Sequence, residues 1–182
     1  MKNIIDPEAF IGTVPSVLVS CGNMENSNIL TIAWTGIINS EPPLIYISIR
    51  PTRYSYSIIK GNKEFVINLP EEKLVWAIDF CGTKSGKNVD KFKQAKLTKV
   101  ASKMLKAPMI KECPVNIECK VKNIEELGSH HMFIGEIVNI NVDEEYIISD
   151  KIDINKLNTV TYCGKHYYIA GKKIGDRGMC LK

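Results

Sequence analysis

Residues 44–50, Leu44-Ile45-Tyr46-Ile47-Ser48-Ile49-Arg50, alternate strictly between two faces. Ile45, Ile47 and Ile49 fall on one face, and Tyr46, Ser48 and Arg50 on the other. A period of two marks a strand with one apolar and one polar side. Pro42-Pro43 punctuates its start and Pro51 its end. The pattern recurs downstream. Val115, Ile117, Cys119 and Val121 share one face while Asn116, Glu118, Lys120 and Lys122 share the other, as in a half-buried antiparallel strand. Met132, Ile134, Val138, Ile140 and Val142 mark a further long strand that ends at Asp143-Glu144-Glu145. Shorter strands are expected over 15–21, 30–35, 65–69 and 159–162.

Helices are fewer. One is expected over 54–60, ending near Gly61-Asn62. A second follows Pro70, with Glu71 and Glu72 in its first turn, where the helix dipole favours acids. It carries Leu74, Val75, Ile78 and Phe80 before Gly82. A short third covers 89–95. Many strands, few helices and no regular strand–helix alternation predict a mainly β fold built as an antiparallel barrel. They argue against a doubly wound nucleotide-binding fold, and no G-x-G-x-x-G or G-x-x-x-x-G-K-[ST] is present.

The chain has 182 residues, 45% hydrophobic and 24% charged. This predicts a single globular domain over 1–182 that folds without a staple. Its net charge of +4 comes from 21 Lys and 3 Arg against 20 acids. Lysine-rich, arginine-poor usage lacks the clustered arginines of nucleic-acid readers, so no nucleic-acid partner is expected. The first residues meet acids and a proline before any apolar run, and no stretch approaches the ~18 apolar residues of a membrane span. A cytoplasmic protein with no membrane partner is expected, its six cysteines reduced. There is no C-x-x-C, and Cys113 and Cys119 on one strand would lie ~20 Å apart, so no metal site is expected.

Four segments could carry chemistry. In 48–57, a polar strand face leads to Arg50, then hydroxyl residues and a helix start. Backbone N–H groups there, with the Ser55 hydroxyl and the Arg50 fork, suit a phosphate. Alternatively, Ser55 caps the helix and Arg50 and Arg53 pair with surface acids. In 81–92, Lys87 or Lys91 could screen a phosphate, or the loop is simply solvated. In 28–35, Thr31, Ala33 and Thr35 share a face of small residues that lets a flat ligand approach, while Trp34 is expected in the core. In 128–136, His130 and His131 fall on opposite faces, so only one need face a pocket; either could be a structural histidine. Tyr162, Tyr167 and Tyr168 could cover an aromatic ligand or merely pack.

Taken together, "NILTIAWTG" at 28–36, "PPLIYISIRPTRYSY" at 42–56, "EFVINLP" at 64–70, "DFCGTKSGKNVDKF" at 79–92, "PMIKECPVNIECKV" at 108–121 and "GSHHMFIGEIV" at 128–138 resemble the flavin reductase-like family with the FMN-binding split barrel, in its flavoredoxin branch. The resemblance implies an antiparallel Greek-key split barrel, a homodimer, and FMN held non-covalently near the dimer interface. It implies electrons passed from NADH, NADPH or a redox protein through the flavin to a small-molecule or protein acceptor. By position, Asn28, Thr31, Ala33, Trp34 and Thr35 would border the flavin, and Ser48, Ile49 and Arg50 would run along it. Ser55 would meet the phosphate, Lys91 would neutralise it, Cys81 would sit close by, and His130 would stand on the substrate side as the catalytic residue. Two other readings stand beside it: a non-catalytic flavin-binding module or sensor that shares the site, and a split barrel that handles haem or pyridoxine, for which His130, His131 or His166 could offer haem an axial ligand.

Overall fold

The computed structural model describes residues 2–181; Met1 and Lys182, the two ends of the expected domain, lie outside the described residues. In chain order the strands are β1 (Val14–Pro15), β2 (Val17–Gly22), β3 (Ser27–Ile32), β4 (Thr35–Ser40) and β5 (Pro43–Ile49). Helix α1 (Tyr54–Asn62), β6 (Glu64–Leu69), α2 (Val75–Thr83) and α3 (Lys91–Gln94) follow. Then come β7 (Lys99–Val100), β8 (Met109–Ile110), β9 (Val115–Glu126), β10 (His131–Val142), β11 (Ile147–Ile148), β12 (Lys151–Ile152), β13 (Val160–Cys163) and β14 (His166–Ile169).

Seven strands form one antiparallel sheet in the order β3-β2-β6-β9-β10-β5-β4. The two end strands, β3 and β4, are consecutive in the chain, so a bend at Ala33-Trp34 brings the ends of the sheet together. The Ser48 N–H of β5 donates to the Trp34 carbonyl across this corner at 2.9 Å. The fold is thus a mainly β, antiparallel split barrel. Val19, Cys21, Ile45, Ile47, Phe65, Ile67, Cys119 and Phe133 fill its interior, joined by Tyr56 and Ile59 from α1. On the outer face of β2 and β3, Leu18 and Ile29 pack under Ala77, Ile78 and Cys81 of α2 and Phe92 of α3. Covered on both sides, β2 is buried along its whole length.

The structure alters several sequence expectations. The strand expected over 30–35 is broken at Ala33-Trp34, where the chain must turn to close the barrel. Trp34 is therefore 42% exposed rather than in the core. Along β9 the polar face is not solvated near its start: Asn116 and Glu118 are buried. The 97–113 segment covers them, its Lys103 and Met104 N–H groups donating to Glu118 and its Ile110 carbonyl accepting from Asn116 Nδ2. On β10 the core face is Phe133, Gly135 and Ile137, not Met132 and Ile134, and register shifts at 134/135 and 137/139 change the alternation. Glu71 does not serve the dipole of α2, because a 3-10 turn, Glu72–Leu74, precedes that helix. Its buried carboxylate instead accepts from the Tyr146 hydroxyl at 3.0 Å and the Asn158 N–H at 3.2 Å, anchoring the 143–160 segment.

Gly135 shows how tight the interior is. A Cβ there would meet Phe65 Cζ at 2.8 Å and Cys119 Cβ at 3.1 Å. Gly135→Ala is expected to lower stability by about 1–3 kcal/mol, because neither fully buried neighbour can yield without moving the barrel. Urea unfolding checks this as a fall in midpoint with the slope unchanged.

Candidate functional site

Five segments meet on one side of the barrel. β3 brings Asn28 and Thr31, and the corner after it brings Ala33 and Trp34. The end of β5 brings Ser48, Ile49 and Arg50, and the chain runs on through Arg53 into α1. The last turn of α2 and the loop beyond it bring Cys81, Gly82, Lys84 and Ser85. His130 stands just before β10. These residues line two hollows. The first, about 170 Å³, is bounded by Trp34, Ser48, Ile49, Arg50, Arg53 and His130. The second, about 100 Å³, is bounded by Asn28, Thr52, Arg53, Ser55, Cys81, Lys84, Ser85 and Lys91. Leu30, Thr31 and Arg53 line both, so the two form one elongated groove.

Its electrostatics are one-sided. Arg50, Arg53, Lys84 and Lys91 line the groove, and no carboxylate among the described residues does. The first turn of α1, whose Tyr54 and Ser55 border the second hollow, has no side-chain cap. Its N-terminal N–H groups and positive dipole end thus add to the same field. Arg53, the N-cap residue, sends its guanidinium to the Gly82 carbonyl at 3.1 Å and so spans the groove. Ser55 is not the cap: it is buried in the first turn and accepts from Asn28 Nδ2 at 2.7 Å. Asn28 in turn packs closely against the loop. A Cβ at Gly86 would fall 2.0 Å from Asn28 Oδ1, so only glycine lets 84–87 approach β3 this closely.

Lys91 is buried, with Nζ donating to the Ile29 carbonyl at 2.8 Å and the Cys81 carbonyl at 2.7 Å. It clamps β3 to α2 and keeps one of its three hydrogens for the groove. Burial lowers its pKa, partly offset by Cys81, and Arg53 lowers it further. Burial pushes the Cys81 thiol up to about 11, so it is no thiolate at neutral pH. Thr31 donates to the Ile78 carbonyl, and Thr35 to the Tyr46 carbonyl. Thr35 does not line the groove.

The adjacent histidines part as their alternation requires. The His130 ring lies 4.4 Å from that of Trp34 at an interplanar angle of 39°, and Ser129 Oγ sits 3.0 Å from its Nδ1. Burial, then Arg50 and Arg53, lower its pKa, so the ring is neutral at pH 7. His131 turns to the opposite side, with Nδ1 2.8 Å from the Tyr56 hydroxyl. The C-terminal tyrosines lie apart from the groove: Tyr162 and Tyr167 pack at 5.5 Å, and Tyr167 donates to Asp79 on α2. Lys87 lines neither hollow but borders an open cleft of about 670 Å³ that adjoins the second one at Tyr54 and Gly86 and carries Glu25 and Asp90.

Sequence reading singled out Arg50, Ser55, Lys91, Trp34 and His130, and all of them line the groove. It did not assign Arg53 a role, nor Lys84 and Ser85. Their signal was present in the scarcity of arginine and in the Gly82…Gly86 spacing that a close-approaching loop needs.

Residues 12–170 match the family model described as a flavin reductase like domain. A protein of Archaeoglobus fulgidus without an assigned function is 36% identical over 132 residues, covering 72% of this chain and 74% of its own. The solved flavoredoxin of Desulfovibrio vulgaris (Miyazaki F) superposes with a TM-score of 0.92 at 33% identity, covering all of both chains. A flavoredoxin from Methanosarcina acetivorans gives 0.91 at 29% identity, again over both whole chains. The chain belongs to the flavin reductase-like family.

Proposed function

We propose that this chain is an FMN-dependent oxidoreductase of the flavoredoxin type. Electrons from NADH, NADPH or a redox protein would pass through non-covalently bound FMN to an acceptor. The observation that carries the reading is the groove: four cations and an uncapped helix end, with no carboxylate among the described residues, leading to a hollow bounded by Trp34, His130 and the end of β5. This donor set fits the group, because a phosphate needs cations and free N–H groups at one end and a conjugated ring needs apolar walls at the other.

Ser55, Arg53, Lys84 and the remaining Lys91 hydrogen would hold the phosphate. Asn28, Thr31, Ser48 and Ile49 follow the chain between phosphate and ring. Ala33, Trp34, Arg50 and His130 would border the ring, and Cys81, in the second hollow, would be an inert part of the wall nearer the phosphate. Thr35 acts from behind, fixing the corner through the Tyr46 carbonyl. When bound, the flavin supplies two-electron chemistry, and the protein supplies position and field. Neutral His130 orients the reacting partner through a ring nitrogen.

The same reading has residues 1–182 acting as one domain, two copies pairing with the flavin near their interface, and a cytoplasmic location. Ile37 and Ile38 stand exposed on the edge strand β4, which supports pairing. All six cysteines are unpaired, which supports a reducing compartment. No helix among the described residues is long and apolar enough to cross a membrane.

Riboflavin tests the phosphate end, because it keeps the ring and loses the anion. FMN is expected to bind at least about tenfold tighter, since charged hydrogen bonds contribute roughly 1.5–3 kcal/mol. Quenching of flavin fluorescence measures both affinities. Equal affinities would mean that the cationic end holds no phosphate.

A further inference from the structure

We infer that Arg50 sets the redox poise of this site, its unpaired guanidinium favouring the reduced, anionic flavin ring over the oxidised one. The inference rests on the flavin reading above. Arg50 follows directly on β5, is exposed, and has no ion pair or side-chain hydrogen bond among the described residues. It lines the hollow that holds Trp34 and His130 and not the phosphate half. The other groove cations are differently placed. Arg53 is engaged with the Gly82 carbonyl, Lys91 with two carbonyls, and Lys84 lines only the second hollow. A phosphate therefore meets its countercharges without drawing on Arg50.

His130 reports the field in that hollow. Burial is the first cause of its lowered pKa, and Arg50 is the next. A field that resists positive charge on one ring favours negative charge on another ring in the same place. Reduction delivers two electrons and one proton to the flavin, from a reduced nicotinamide, a redox protein or, in the test, dithionite. The ring then carries one more negative charge than before, and no bond to the protein forms. Among the described residues no carboxylate lines the groove to offset the attraction of Arg50 for that charge.

The test is the midpoint potential of the FMN-loaded protein, read by anaerobic equilibration with a reference dye, alongside the affinity for oxidised FMN. Arg50→Gln is expected to lower the midpoint by about 30 mV or more, the two-electron equivalent of a tenfold loss of preference for reduced flavin. Arg50→Lys, which keeps the charge, is expected to recover most of that shift. An unchanged midpoint in Arg50→Gln overturns the inference. So does an Arg50→Lys midpoint as low as that of Arg50→Gln, which would make shape rather than charge the cause. Either result leaves the flavin reading standing; if the parent protein binds no FMN, that reading falls and the inference with it.

Discussion

Arg53→Ala is expected to weaken FMN binding by about one to two orders of magnitude. The residue lines both halves of the groove and reaches across it to the Gly82 carbonyl. Its removal takes away a charged donor at the phosphate end, worth roughly 1.5–3 kcal/mol, and the tie that holds the loop after α2 in place. Arg53→Lys restores the charge but not the planar fork, so it is expected to recover only part of the loss. Fluorescence titration with FMN gives the affinities, and a thermal melt of the apoprotein separates binding from folding. Since Arg53 is exposed, its melting temperature should change little. Retention of full affinity in Arg53→Ala would move the phosphate away from this end of the groove.

Glu118→Ala is expected to cost about 2–4 kcal/mol of stability, because four partly buried donors lose their one shared, fully buried acceptor at once. The carboxylate is fully buried. It accepts from the Lys103 N–H at 3.0 Å, the Met104 N–H at 2.7 Å, Asn139 Nδ2 at 2.9 Å and Asn141 Nδ2 at 2.8 Å. Burial alone would raise its pKa, but the bonds from Asn139, Asn141, Met104 and Lys103 outweigh this and hold it below the usual carboxylate range. A group whose folded pKa is depressed contributes stability above its unfolded value, about 4.3. That contribution is lost as pH falls through the folded value. The parent protein is therefore expected to lose stability on acidification below about pH 4 more steeply than Glu118→Gln. Urea denaturation at a series of pH values reads both effects. Parallel curves for parent and Glu118→Gln would show that Glu118 is not the ionised anchor of this network.

Glu118 also marks where sequence reading stops. Its alternation with Ile117 and Cys119 fixes the strand and the side, and both are correct. Nothing local says that the polar side is covered, because the cover comes from the 97–113 segment packed back onto the barrel. Trp34 failed for a related reason. An indole within an apolar run reads as core, yet the sheet must turn a corner there to bring β4 beside β5, and the ring is left at the groove mouth. The division between His130 and His131 was legible as opposite faces, but which face held the groove depended on pairing with β5. Lys91 lay at the start of a short expected helix, in a basic segment that could equally be read as solvated. Its burial follows from two carbonyls, on β3 and α2, that only the assembled fold brings within reach of one ammonium. The strands at 44–50 and 65–69 and the helix after Arg53 were legible throughout, since period and punctuation are local properties.

The central claim is that the groove holds FMN and that bound FMN turns over electrons. Its most direct test is an anaerobic visible spectrum of the purified, FMN-supplemented protein after removal of free flavin, recorded before and after NADH and then NADPH, and finally with a reduced low-potential carrier protein. Retained flavin bands that bleach with at least one of these donors are the expected result, and the donor that works is then the physiological class. Retained flavin that stays oxidised with all three would make this a binding module rather than an oxidoreductase, and no retained flavin would contradict the assignment of the groove itself.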